Sequence, residues 1–278
     1  MTARDRDYVL GTHDDEIARL GVQHAVWRSR AIDAWRRAGF GAGDTLLDVG
    51  SGPGYATLDL AELAGPSGRV IAVDRSRRFL DTLQTFQRER GIRHVEVVES
   101  DLDVVDFGEG VANGAWCRWV LAFVPRPFSL LERIGRALKP GAAFVSHEYF
   151  DYASWRVLPR SAVFEEFVQL VIANWRKSGG EPDVALDVPR WLERLGFEVE
   201  LTAPRIEAIT RDDDMWQWPA SFIDVGLRRL IDLGAIDPDS GRAMQSELDR
   251  IVASPSTRMI TPGVLEVIAR KRSSPVSS

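Results

Sequence analysis

Leu46-Leu47-Asp48-Val49-Gly50-Ser51-Gly52-Pro53-Gly54 is the stretch on which the fold turns. An apolar run broken only by Asp48 suits a buried strand, and three glycines at alternate positions follow it before helix-like Ala56 to Leu63. Glycine tolerates positive φ and lacks a Cβ, so a ligand can lie against this backbone where the first strand ends. Many nucleotide cofactors are held by such a turn. The dinucleotide spacing G-x-G-x-x-G/A asks for Gly or Ala at 55, where Tyr55 stands, and a start at Gly52 puts Thr57 in third place. An NAD(P)-dependent oxidoreductase is weakened by this and stays open.

Outward from the turn, strand-like and helix-like segments alternate. Val70-Ile71-Ala72-Val73 ends in Asp74, a charged helix spans Ser76 to Arg90, and strands are expected at Val95–Val98, Ala115–Leu121 and Ala142–Glu148, with a helix over Phe128–Leu138. This order predicts an α/β fold with a parallel sheet covered on both faces. Upstream, Ile17, Leu20, Val26, Ala31 and Trp35 recur at helical spacing, so residues 1–44 are expected to be an N-terminal helical segment. Beyond Tyr149 the alternation stops. Ala153 to Arg176 reads as one long helix, Pro189–Leu195 as a short one, Phe197–Leu201 as a strand, and Asp213–Ala253 as helix broken near Gly234 to Pro238. Met259–Ala269 is β-like, with Pro262-Gly263 interrupting it.

Leu47 to Gly54 closely resembles the first motif of class I S-adenosylmethionine-dependent methyltransferases. Four further signals follow in that family's order. Asp74-Arg75-Ser76 resembles the acidic ribose clamp, and Ser100-Asp101-Leu102 the adenine position. Trp116 to Pro125, with Arg118, Trp119 and Phe123, resembles the fourth-strand motif, and Leu138 to Ala142 the turn before the fifth strand. Tyr8 to Gly11, with Glu16, Arg19 and Gln23, resembles the start of a bacterial group of small-molecule methyltransferases, as does His147 to Tyr152. The resemblance implies a Rossmann-like seven-stranded sheet with its last strand antiparallel, and S-adenosyl-L-methionine as cofactor. It implies cofactor contacts from Tyr8, Gln23, Asp48, Gly50, Ser51, Gly52, Gly54, Asp74, Arg75, Ser100, Asp101, Leu102 and Arg118. A cofactor-binding core at 45–149 within one domain over 1–278 is expected, with helical lid insertions at 150–196 and 212–256.

Methyl transfer from a sulfonium is an in-line displacement that depends mainly on orientation in a water-poor site. Substrate is expected above the carboxyl edge of the sheet, among Trp119, Phe123, Tyr149, Tyr152, Trp155, Arg156, Trp216 and Trp218. A general base, if the acceptor needs one, is expected at His147 or Glu148; alternation along a strand lets only one of the two face the cofactor. A non-catalytic S-adenosylmethionine-binding protein is the remaining rival.

With 278 residues, 45% hydrophobic and 27% charged, the composition is that of a globular protein. A net charge of −6 argues against a surface made for nucleic acid, and no run approaches the roughly 18 apolar residues of a membrane span. Cys117 stands alone, so it forms no internal disulfide and is expected as a small buried hydrophobe on a strand. His13, His24 and His94 have no ligand spacing, and no metal site is expected. Met1 to Tyr8 lacks an apolar core, which makes the cytoplasm the expected location.

Overall fold

The computed structural model describes residues 14–273. Tyr8 and His13 lie outside them. Strands β1 (Thr45–Val49), β2 (Arg69–Asp74), β3 (Val95–Glu99), β4 (Ala112–Arg118) and β5 (Leu138–Asp151) alternate with helices α2 (Tyr55–Ala64), α3 (Arg77–Arg90) and α4 (Pro127–Ala137), while α1 (Asp14–Arg37) precedes them all. Three short strands and two long ones complete the set: β6 (Arg156–Leu158), β8 (Ala208–Ile209) and β9 (Arg258–Ile260), with β7 (Phe197–Arg205) and β10 (Gly263–Lys271). Helices α5 (Ala162–Lys177), α6 (Val188–Arg194), α7 (Gln217–Asp232) and α8 (Pro238–Ala253) lie between the late strands.

The seven-stranded sheet runs β3-β2-β1-β4-β5-β10-β7. β10 enters antiparallel between β5 and β7, so the last strand is the antiparallel one. From β1 the chain winds outward through β2 and β3; from β4 it winds the other way. β1 and β4 are neighbours, with Asp48 opposite Trp116, and their carboxyl ends therefore form the switch point where α/β sheets bind ligands.

Period-two alternation divides the core into two layers. Leu46, Val70, Trp116, Val145 and Ile268 pack with Trp35 of α1 and Leu60 of α2. Leu47, Val49, Cys117 and Phe144 pack on the opposite face, in a cluster that also takes in Leu130, Phe164, Trp175 and Leu227 from α4, α5 and α7. Each fully buried Leu or Phe contributes roughly 1.5–3 kcal/mol of transfer free energy.

A second sheet, β6-β9-β8, is antiparallel and ties together the chain segments that lead to α5, to α7 and from α8. It replaces the start of the single helix expected over 153–176. Asp151 caps a 3-10 turn at Tyr152–Ser154 by accepting from the Ser154 amide at 3.0 Å, Arg156 to Leu158 pair with β9, and only after Ser161 caps Phe164 does α5 begin. The partner strand lies about a hundred residues on, and local periodicity carries no trace of it.

Candidate active site

At the switch point the turn after β1 is pinned to β2, because the amides of Gly50 and Ser51 both donate to the Val73 carbonyl, at 2.9 and 3.0 Å. Gly50 sits at φ 71°, and a Cβ there would meet Val120 Cγ2 at 2.4 Å. Gly54 sits at φ 90° against Leu83, which brings α3 down onto the turn. Asp74 then braces it from the end of β2: one carboxylate oxygen accepts from the Gly52 amide at 2.9 Å, the other from Ser76 at 2.8 Å. Burial pushes the Asp74 carboxyl up, and these amides pull it back.

Asp48 is buried beneath the turn, where Thr57 donates to it at 2.6 Å. Burial raises its carboxyl to about 6, opposed by that hydrogen bond and by the charge of Arg118. Arg118 ends β4 with its guanidinium 5.1 Å from the Trp119 ring centroid and 5.7 Å from that of Trp116. Burial lowers it to about 10. It makes no ion pair among the described residues, and its Nη1, like the Ser51 hydroxyl, is buried without a partner.

The chain leaving β4 forms the far wall. Trp119 holds φ 51°, a left-handed conformation that costs a bulky residue roughly 1–2 kcal/mol. Its amide donates to the His147 carbonyl at 3.0 Å, and its ring stacks on Trp218 at 5.5 Å and on Tyr149 at 5.7 Å. Next comes a 3-10 turn, Leu121–Phe123, whose leading amides need acceptors. Glu148 supplies them: Oε1 accepts from Val120 at 2.8 Å and Leu121 at 2.9 Å, and Oε2 from Ala122 at 3.4 Å. Burial raises this carboxyl to about 7, against the pull of those amides.

These elements enclose an open cleft with about 1090 Å³ of empty space, solvent at its mouth included. Of the expected cofactor residues, Gln23, Asp48, Gly50, Ser51, Gly52, Asp74, Arg75, Asp101, Leu102 and Arg118 line it. Gly54 and Ser100 do not; Gly54 packs on Leu83, and the Ser100 amide donates to the Asp74 carbonyl at 3.0 Å.

Of the expected substrate residues only Trp119 and Phe123 reach the cleft. Tyr149 and Trp218 stand behind Trp119, and Tyr152 packs edge-on against Tyr149 and Trp155. Trp155 is buried against Phe164 and Phe167, Trp216 is buried in a short turn, and Arg156 is exposed on β6. The two expected bases are also displaced. His147 and Glu148 do point to opposite faces, but both are fully buried and neither lines the cleft. His147 Nε2 lies 3.0 Å from Glu266, its direct cross-strand neighbour, which also accepts from Arg205 at 3.1 Å.

Sequence reasoning missed Leu20, His24 and Tyr55 in the wall. Their signal lies in α1: its buried stripe is polar through Glu16, Arg19, Gln23 and His24, and turns apolar only at Trp27, Ala31, Ala34 and Trp35. A buried stripe that starts polar faces a site before it faces a core.

A family model described as a methyltransferase domain matches residues 47–146, the segment that builds most of this cleft. A demethylmenaquinone methyltransferase of Lactococcus lactis is 31% identical over 126 residues, covering 45% of this chain and 49% of that protein. The chain spans about half the length of the curated relatives it matches. Among solved structures, a candidate methyltransferase of Bacillus halodurans superposes with a TM-score of 0.62 at 20% identity, over 88% of this chain and 99% of that one. Geranyl diphosphate C-methyltransferase of Streptomyces coelicolor, solved with S-adenosyl-L-homocysteine, gives 0.54 at 17%, over 90% of this chain and 80% of its own. By its matched domain and by its sheet order, the chain is a class I methyltransferase in fold, with the methyltransferase domain at residues 47–146.

Proposed function

We propose that the protein is an enzyme that transfers a methyl group from S-adenosylmethionine to a small organic molecule. The observation that carries this reading is the convergence of Asp48, the Gly50–Gly52 backbone, Asp74, Asp101 and Arg118 on one cleft. The polar set fits the cofactor. Asp74 has lone pairs left for two ribose hydroxyls, Asp101 suits an exocyclic amino group, and Leu102 packs beside it. Asp48 and Arg118 offer an anion and a cation to an amino-acid end, and the partnerless Nη1 and Ser51 hydroxyl are two groups that such a ligand would satisfy. S-Adenosylmethionine supplies an electrophilic methyl group on a positively charged sulfur.

The chain's own contribution is to orient and to exclude water. Trp119 and Phe123 are rigid walls, since each is backed by a ring from a helix beyond residues 45–149: Trp218 of α7 behind Trp119, and Trp175 of α5 at 4.3 Å from Phe123. This backing supports reading 150–196 and 212–256 as substrate-side cover of a single domain. We assign no proton transfer to His147 or Glu148, because neither lines the cleft and each is buried and committed elsewhere, His147 to Glu266 and Glu148 to the turn amides. The relatives named as quinone and prenyl diphosphate methyltransferases support a small-molecule acceptor, and the net charge of −6 argues against nucleic acid. Among the described residues no helix is long and apolar enough to cross a membrane. A cytoplasmic location belongs to the same proposal and is supported by the lone, buried Cys117.

Two measurements test the reading. S-Adenosylhomocysteine at about a hundred times its Kd adds roughly 2.7 kcal/mol, which for a chain of this size raises Tm by about 5–10 °C. The absence of that rise, with one produced by NADH instead, overturns the reading. The second follows Asp48. Its charged form holds the ligand's ammonium group, so affinity is full above about pH 6 and declines toward tenfold per pH unit below it. Titration calorimetry from pH 5 to 8 should show that decline in the natural protein and lose the Asp48 component in Asp48→Asn.

A further inference from the structure

We infer that His24 and Asp59 are positioning residues for Arg118, forming with Arg28 a four-membered relay that runs from the surface of α1 and α2 into the cleft. The inference deepens the proposed function and rests on it for the identity of the ligand. Arg28, half exposed on α1, grips Asp59 of α2 with two bonds, Nε to Oδ2 at 2.8 Å and Nη2 to Oδ1 at 3.0 Å. Asp59 Oδ2 lies 2.9 Å from His24 Nε2, and His24 Nδ1 lies 2.9 Å from Arg118 Nη2. A guanidinium can only donate, so Nδ1 must present its lone pair to Arg118, and the imidazole proton must sit on Nε2 and point at Asp59. The relay has one polarity and requires a neutral His24.

The chemistry of Arg118 calls for such a device. Arg118 is half-buried, with its Nη1 shut off from solvent; it has no carboxylate in hydrogen-bonding reach among the described residues, and its guanidinium lies close to the rings of Trp116 and Trp119. His24 occupies Nη2 and so fixes the plane of the group, leaving Nη1 as a donor without a partner. A partly desolvated cation with no carboxylate bonded to it is costly, and the relay supplies partial compensation until a ligand carboxylate arrives.

Protonating His24 would replace the lone pair with an N–H aimed at Arg118 and set two cations side by side. Burial already lowers the His24 pKa, opposed by Asp59 and helped by the charges of Arg118 and Arg28, so the neutral form prevails at neutral pH. Other groups face it. The Tyr55 ring stacks on it at 6.2 Å, Glu62 lies 3.8 Å from Arg28, and Asp48 titrates within the same cleft. Asp59 is held below the usual carboxylate range, because the His24 and Arg28 hydrogen bonds outweigh its burial.

The test is S-adenosylhomocysteine binding to the full chain by calorimetry, pH 5–8, in the natural protein, His24→Ala and His24→Gln. Gln reproduces the relay, accepting from Arg118 and donating to Asp59, but does not titrate. At pH 7.5 His24→Ala should bind about ten- to a hundredfold more weakly, the worth of one hydrogen bond to a charged group, while His24→Gln should stay within about threefold. As the pH falls, binding by the natural protein should decline more steeply than binding by His24→Gln, which keeps only the Asp48 component. Undiminished binding by His24→Ala, or superimposable pH profiles, overturns the relay. Nitrogen-15 NMR of the histidines reports the tautomer without any ligand. A proton on Nδ1 of His24 overturns the relay, whereas the Nε2–H tautomer in a protein that fails to bind S-adenosylhomocysteine leaves the relay standing and overturns the proposed function instead.

Discussion

Glu148→Ala should lower the melting temperature by about 10 °C and weaken S-adenosylhomocysteine binding in the same variant. Three backbone amides, those of Val120, Leu121 and Ala122, end on this one carboxylate. Alanine leaves them buried with no acceptor, at about 1–3 kcal/mol for each that finds no water, and adds a cavity where a fully buried side chain stood. A total of about 4 kcal/mol corresponds to a shift of roughly 8–16 °C for a chain of this length. The turn so released is the cleft wall, which is why affinity should fall with stability. Glu148→Gln keeps one carbonyl oxygen for Val120 and Leu121 but turns an N–H toward Ala122, so its loss should be intermediate. Differential scanning calorimetry with and without S-adenosylhomocysteine separates the two effects. A Tm within about 2 °C of the natural protein for Glu148→Ala would show that the turn does not depend on this carboxylate.

Glu148 also shows where sequence reading stops. The order of strands and the glycine turn were legible because each depends on near neighbours: an apolar run, and a turn that only glycine tolerates. Asp48, Asp74 and Asp101 were expected because the motifs around them resemble a known family, and all three line the cleft, Asp101 two residues beyond the end of β3. Arg118 does end β4, but His147 and Glu148, expected at the end of a strand, lie inside β5, which runs on to Asp151; position alone made the three look alike. What distinguishes them is the partner met across the sheet. Glu266 claims His147, a turn from the next connection claims Glu148, and His24 from a helix more than ninety residues upstream claims Arg118. The aromatic set divided for the same reason. Trp119 and Phe123 follow β4 directly and face the cleft, whereas Trp218 and Trp155 belong to segments whose path depends on pairing β6 with β9. The small sheet was invisible because its three strands are two or three residues long and far apart in sequence.

Gly50→Ala should abolish measurable S-adenosylhomocysteine binding while leaving the fold largely intact, and Val120→Ala should restore part of it. Two costs fall on the new methyl group. At φ 71° an L residue pays roughly 1–2 kcal/mol, and the methyl carbon would stand 2.4 Å from Val120 Cγ2, well inside contact distance. Val120 cannot retreat freely, because its amide is held by Glu148 at 2.8 Å and its neighbour Trp119 is backed by the rings of Tyr149 and Trp218. The turn must therefore move, and with it the amides of Gly50 and Ser51 that hang on the Val73 carbonyl and the Gly52 amide that hangs on Asp74. A displacement of about 1 Å in such a site costs on the order of a hundredfold. In the double variant the clash disappears and only the backbone penalty remains, so affinity should recover by about tenfold and still fall short of the natural protein. The single variants and the pair form a double-mutant cycle whose coupling term isolates the steric part. If Gly50→Ala binds as the natural protein does, the turn is not a binding surface. If Val120→Ala brings no recovery, the backbone conformation at residue 50, and not the contact across the cleft floor, is what demands glycine.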